Sequence, residues 1–166
     1  FPKAHAVAYV MMAYRIAYYK IFYPLEYYAA FFSIRASSFD YEKMCRGKEH
    51  LQEEMGIIKD RIERGEQAPK DEDLLKYMYN ALEMYARGFE FTPIDIYQAE
   101  ASRFKIVNGK LMPSFESIDG MGSKAAASLE EAAKERFTSR EDLKIRAKLS
   151  STLTDKLYQL GFLGNL

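Results

Sequence analysis

The stretch Phe115-Glu-Ser-Ile118-Asp-Gly120-Met-Gly122-Ser-Lys124-Ala-Ala126 decides how this chain is read. Two helical patterns meet there across a short turn, Ile118 to Gly122, with an apolar residue before the glycine pair and alanines after it. Lacking a Cβ, Gly120 and Gly122 admit unusual backbone angles and let the main chain press close to a bound group. The N–H groups that open the next helix have no partner inside it, and together with the helix dipole they favour an anion such as phosphate. Lys124, in the first turn, can add a direct charge. A Gly-x-Gly pair also serves ordinary tight turns, so packing alone remains a second reading of the same residues.

Downstream, a second helical hairpin turns about Lys148-Leu149-Ser150-Ser151, and either Thr138 with Glu141 or Ser139 with Asp142 can form the capping box of the helix leading into it. This turn has no glycine. Any contact it makes would come from the side chains of Lys148, Ser150 and Ser151 and from a helix N-terminus, and packing explains it equally well. The first turn matches the helix-hairpin-helix pattern, and the pair looks like a tandem unit. Phosphate contacts carry no base information, so a grip of this kind on duplex DNA should be independent of sequence and weakened by salt.

Upstream of Pro113, Asn108-Gly109 lies between Phe104, Ile106 and Leu111, Met112, the strongest short hairpin signal, and predicts a small β element. Before it, Leu74, Leu75, Met78, Ala81, Leu82 and Tyr85 recur at three and four residues, which predicts a helix from Asp71 with Gly88 at its C-terminal cap. A polar connector runs from Gly65 to Lys70. Asp40 can cap a helical segment reaching about Arg64, broken or loosened near Gly47 and Gly56. Nearer the start, Ala4 to Phe22 and Leu25 to Ala36 read as two helices in a tight pair, with Pro24 at the first helical position of the second.

On the first helix, His5 and Tyr9 stand four residues apart on one face, with Lys3 at its start. Lys3, His5 and the helix N-terminus can donate to a triphosphate while the Tyr9 ring offers a flat surface to a base. The alternative is that His5 and Tyr9 are half-buried core residues. Spacing alone leaves both open.

Composition bounds these readings. Of 166 residues 48% are hydrophobic, enough for one or two small cores, and 24 basic residues balance 24 acidic ones, so no uniform positive field points to nucleic acid. A single cysteine, Cys45, excludes an internal disulfide and a cysteine-rich zinc site; it reads as a buried structural thiol in a reducing compartment. Arg15, Lys20, Pro24 and Glu26 interrupt the apolar stretch from Ala4 to Ile34, so no transmembrane span is expected. Starting at Phe1 without methionine, the chain reads as a piece of a longer protein.

The run Phe1-Pro-Lys-Ala-His-Ala-Val-Ala-Tyr9, continuing through Lys20, and then Tyr23-Pro-Leu-Glu-Tyr-Tyr-Ala-Ala30 closely resembles the late fingers region of PolC-type DNA polymerase III alpha subunits. The likeness continues through Ala81 to Gly88, Asp95-Ile-Tyr97 and Phe115 to Gly122, and so covers essentially the whole chain. It implies an incoming-nucleotide pocket that uses His5 and Tyr9, with Lys3 and Phe1 beside them. It also implies a tandem helix-hairpin-helix unit holding product duplex at Gly120 and Gly122, with Lys124 as a further contact; that position is often not lysine in relatives. The parent enzyme would transfer nucleotides with two magnesium ions held by palm aspartates, and no candidate palm lies here. No metal or catalytic residue is therefore expected in this segment.

The expected fold is mainly α with a small β element: fingers helices over 1–88, a β-containing bridge over 89–114, and a tandem helix-hairpin-helix part over 115–166. The expected partners are primer-template duplex DNA and an incoming dNTP, with a sliding clamp engaged by a motif beyond Leu166; the compartment is the cytoplasm, without membrane contact. The alternative from another class is a stand-alone helix-hairpin-helix DNA-binding adaptor.

Overall fold

A computed structural model describes residues 2–34, 38–66, 68–164 and 166. The helices are α1 (Lys3–Phe22), α2 (Pro24–Ile34), α3 (Tyr41–Met44), α4 (Lys48–Glu63), α5 (Asp71–Ala86), α6 (Ser123–Ala132), α7 (Arg140–Arg146) and α8 (Ser151–Gln159). Between α5 and α6 lies one antiparallel ribbon of β1 (Lys105–Val107) and β2 (Lys110–Met112). The mainly helical fold with a small β element is as expected.

Local chemistry sets most boundaries. Pro24 opens α2, where its missing N–H removes no intrahelical bond. Asp40 caps α3, its Oδ1 accepting the N–H groups of Glu42 and Lys43 at 3.0 and 3.2 Å. Gly47, at φ +104°, separates α3 from α4. Gly56 does not break or loosen the chain as expected; it lies inside α4, where its neighbours pack Leu51, Met55 and Ile58 into the core and outweigh its weak helix propensity. Gly88, at φ +86°, ends α5 in a Schellman arrangement: Gly88 N–H donates to the Tyr85 carbonyl and Phe89 N–H to that of Met84. Asn108 and Gly109 both take positive φ, the two-residue turn that matches strand twist, and pair Ile106 with Leu111. For α7 the second capping alternative holds: Ser139 Oγ accepts the Asp142 N–H at 3.1 Å, and Asp142 accepts the Thr138 N–H at 2.9 Å. That Thr138 N–H, with Arg146 behind it, holds the Asp142 carboxyl below its usual range.

Two apolar clusters carry the fold. The first joins Tyr28, Phe32 and Phe39 to the inner faces of α4 and α5; the second joins Phe115, Ile118 and Met121 to Leu129, Leu143 and Leu157 of α6, α7 and α8. Residues 89–114 serve both, with Phe91, Phe104 and Leu111 in the first and Ile94, Ile96 and Met112 in the second. Cys45 is half-buried rather than fully buried as expected; it packs against both clusters, and this burial, with Asp40 adding to it, pushes its thiol well above the usual range. Iodoacetamide at neutral pH should therefore label Cys45 slowly in the native chain and rapidly in urea; rapid native labelling would contradict this packing.

Helix α1 departs from expectation. It meets α2 at a corner where Ile16 and Tyr19 face Tyr27, Ala30 and Phe31 across a groove, yet none of its described side chains is buried. The pair is looser than the tight pair predicted, because α1 carries apolar residues all round and only its last turns reach the body of the chain.

Candidate nucleic-acid and nucleotide contacts

The first hairpin begins with a 3-10 turn at Phe115–Ser117, whose Phe115 is fully buried, and Ile118 and Met121 anchor the turn in the core on either side of Gly120. Gly120 stands exposed at φ +84°, a conformation that disfavours any side chain. Gly122 does not share that need. Its φ of −76° and ψ of 160° are ordinary extended values, and a Cβ built there would meet nothing within 4 Å. Of the two glycines that admit unusual angles, Gly120 alone uses that freedom. Gly122 is the N-cap of α6 and no side chain caps that helix, so the bare glycine leaves the opening N–H groups uncovered, with Ser123 and Lys124 exposed beside them.

Twenty-eight residues later the second hairpin repeats this backbone. Lys148 takes the place of Gly120 at φ +53°, Leu149 buries itself as Met121 does, and Ser150 is an N-cap at φ −69° and ψ 157°. The repeat is invisible to a search for glycines, because a lysine occupies the left-handed position at the end of α7. The N–H groups of Lys148 and Leu149 close that helix onto the carbonyls of Ile145 and Lys144. Ser150 differs from Gly122 in what it leaves open: its Oγ accepts the Leu153 N–H at 3.2 Å, so this hydroxyl is already engaged as a cap. Lys148 and Ser151 are exposed.

Lys156 of α8 ties the two hairpins together. Its ammonium donates to the Asp119 carbonyl and carboxylate at 3.0 and 3.1 Å and pairs with Glu42 at 3.2 Å. Burial works against its charge, but these bonds prevail and raise its pKa. Around the first turn, Lys43 and Lys70 share a depression with Asp40, Glu116 and Asp119, and Lys43 is paired with Asp40. Local charges nearly cancel there, as they do over the whole chain. Among the described residues Lys124 and Lys148 make no ion pair, which leaves both ammonium groups available.

At the other end of the chain, Pro2 precedes α1 and Lys3, His5 and Tyr9 all lie exposed on its first turns. The His5 and Tyr9 rings approach to 4.6 Å between centroids, inclined at 61°, and Tyr9 is 65% exposed. The half-buried alternative therefore fails for both residues within this chain. Phe1, the fourth expected nucleotide contact, lies outside the described residues. Among the described residues no group of three or more His, Cys, Asp or Glu could hold a metal ion, and no helix is long and apolar enough to cross a membrane.

Beyond these, the structure reveals a polar cluster of Lys20, Tyr28, Glu83 and Arg87 joining the C-terminal end of α1 to α2 and α5. No local pattern marks it, because its partners lie more than fifty residues apart in the sequence.

The class of this fold is confirmed by comparison: residues 88–166 match the family described as helix-hairpin-helix motif. The match takes in the β ribbon as well as both hairpins. Over its whole length the chain is, further, a relative of proteins named DNA polymerase III PolC-type. It is 42% identical over 167 residues to that of Streptococcus pneumoniae (serotype 2, strain D39), 42% over 168 residues to that of Bacillus cereus, and 40% over 164 residues to that of Oceanobacillus iheyensis. These alignments cover 98–100% of this chain but only 11–12% of each relative, so the chain spans about a ninth of their length.

Proposed function

We propose that this chain is the segment of a PolC-type replicative polymerase that binds the incoming nucleotide at the start of α1 and holds duplex DNA at the hairpins. The observation that carries the reading is identity of 42% over the full chain, including α1, joined to a hairpin whose helix opens bare at Gly122. An adaptor sharing only the hairpins would have no reason to carry α1 as well. In this reading residues 1–88 serve the nucleotide, 89–114 bridge the two parts, and 115–166 serve the duplex, in the cytoplasm.

The chemistry of each contact follows from the side chains. Lys3, His5 and the first N–H groups of α1 neutralise and donate to the triphosphate, and the exposed Tyr9 ring stacks on the base. Gly120, Gly122 and the N-terminus of α6 meet a backbone phosphate, with Lys124 adding charge; Lys148, Ser151 and the N-terminus of α8 meet a second one. Magnesium ions held by carboxylates outside these residues would stabilise the attacking and leaving oxygens. A sliding clamp would be engaged outside these residues too.

Two results test this. The isolated chain should show no nucleotide incorporation on a primed template with magnesium; clear extension by a preparation free of other polymerases would overturn the assignment of the metal site elsewhere. In the complete polymerase, Tyr9→Ala should raise the apparent nucleotide KM through a loss of about 1–3 kcal/mol of stacking. His5→Ala should weaken triphosphate binding by roughly 1.5–3 kcal/mol, the worth of a hydrogen bond to a charged group. Unchanged kinetics in both variants across a full nucleotide titration would remove α1 from the nucleotide site.

A further inference from the structure

Helix α1 is held at one end. None of its described side chains is buried, and its polar ties to α5 converge on its last turn. There the Lys20 ammonium meets Glu83 Oε2 at 2.8 Å, and the Tyr28 hydroxyl donates to Glu83 Oε1 at 2.6 Å, so both carboxylate oxygens are taken. The Arg87 guanidinium spans the same group, donating to the Tyr28 oxygen at 3.2 Å and to the backbone carbonyl of Lys20 at 2.8 Å. That carbonyl belongs to the last turn of α1, and Pro24, four residues on, has no N–H to donate to it. Tyr28 itself is fully buried, so the cluster rests on a fixed point of the first core.

From this geometry we propose that the Lys20–Glu83–Tyr28–Arg87 cluster is a positioning clasp, which sets the angle of α1 against α5 and thereby places Lys3, His5 and Tyr9 for the nucleotide. The inference rests on the nucleotide-binding reading of α1 given above. Fifteen residues separate Lys20 from His5 along the helix, about 22 Å at 1.5 Å per residue, so a tilt of about 10° at the clasp displaces the nucleotide face by about 4 Å. A misplacement of about 1 Å can already cost on the order of a hundredfold in rate. Protonation states suit the arrangement. Hydrogen bonds from Lys20 and Tyr28 outweigh burial and hold the Glu83 carboxyl below its usual range, while burial first, and Glu83 second, push the Tyr28 hydroxyl up to about 12. At neutral pH Glu83 is thus an anion and Tyr28 a donor.

What separates a positioning role from a merely structural one is exposure. The Lys20 and Glu83 side chains are 29% and 41% exposed, and ion pairs so open to water contribute little to folding stability. Removing the pair should therefore change nucleotide kinetics without a matching loss of fold. The test uses the complete polymerase carrying Glu83→Gln, Lys20→Met, the conservative Lys20→Arg, Tyr9→Ala and His5→Ala, with dNTP titrations, primer-template affinity and Tm measured for each. Glu83→Gln and Lys20→Met are expected to raise the apparent nucleotide KM about tenfold, with primer-template Kd within about twofold of wild type and little change in Tm. Lys20→Arg should stay near wild type. Combining Glu83→Gln with Tyr9→Ala should give much less than the product of the two single effects, since both act on one contact.

An unchanged KM in Glu83→Gln and Lys20→Met, beside a raised KM in Tyr9→Ala or His5→Ala, overturns the clasp alone. An unchanged KM in both Tyr9→Ala and His5→Ala overturns the nucleotide reading of α1 and the clasp with it. A raised KM that comes with an equal loss of primer-template affinity or a large fall in Tm makes the cluster structural and also overturns the clasp.

Discussion

Phe115→Ala is expected to lower folding stability by about 3–5 kcal/mol, the range for truncating a fully buried aromatic that leaves a cavity. Phe115 has no exposed surface and sits in the second cluster among Ile118, Met121 and Leu129, while its N–H donates to the Glu100 carbonyl at 3.0 Å. Its ring packs in the one core that supports both hairpin turns, so the two should fail together. With a urea dependence of about 2 kcal/mol per molar, the unfolding midpoint should fall by roughly 1.5–2.5 M. Near-ultraviolet circular dichroism and the urea midpoint measure this directly. A fall below about 0.5 M would mean that Phe115 does not bear on the core in the way its burial indicates.

The parts of the fold legible in the sequence are those fixed by local chemistry. Asn108-Gly109 needs two positive φ angles, Gly88 needs one at a helix end, and Asp40 and Ser139 cap the N–H groups a few residues ahead; each pattern spans only a handful of positions. The α5 face is equally readable, because Leu74, Met78 and Ala81 repeat at helical spacing and all three are buried. Helix α1 is legible in its extent but not in its facing, since apolar residues surround it and no face declares itself. Gly56 departs from its local signal for a related reason: a glycine is a weak helix breaker, and the packing of Leu51, Met55 and Ile58 overrides it.

The candidate site divides the same way. Gly120 could be read as a left-handed position, and the pairing of His5 with Tyr9 on one face follows from a spacing of four. That Gly122 has ordinary angles could not be read, because the residue type does not distinguish a glycine kept for φ from one kept for bareness. The second hairpin is legible about Lys148 to Ser151, but its left-handed residue is not, because Lys148 stands in a position where glycine is usual. The clasp at Lys20 and Glu83 depends on tertiary contact between distant segments, and so no spacing announces it.

The distinction between the two glycines gives the most direct test of the duplex grip, which is the centre of this account. Gly120→Val forces a β-branched residue to φ +84° and should destabilise the chain whatever it binds, so a loss of binding there is ambiguous. Gly122→Val is strain-free: its φ is −76°, and nothing lies within 4 Å of a Cβ. It gives up a favourable N-cap residue, a cost of about 1 kcal/mol, and lays two methyl groups over the N–H groups that open α6. Lys124→Ala removes one phosphate charge instead, and should reduce the slope of log affinity against log salt by about 0.9 without altering base preference. The decisive measurement is fluorescence anisotropy of the wild-type chain and Gly122→Val with two unrelated duplexes across a salt series, with helicity checked by circular dichroism. The wild type is expected to bind both duplexes alike and more weakly as salt rises, and the folded Gly122→Val variant to lose roughly tenfold or more on both at every salt concentration, as expected where a backbone N–H contact to phosphate is blocked. A folded Gly122→Val variant that binds both duplexes as the wild type does would contradict it and leave the first hairpin a structural corner.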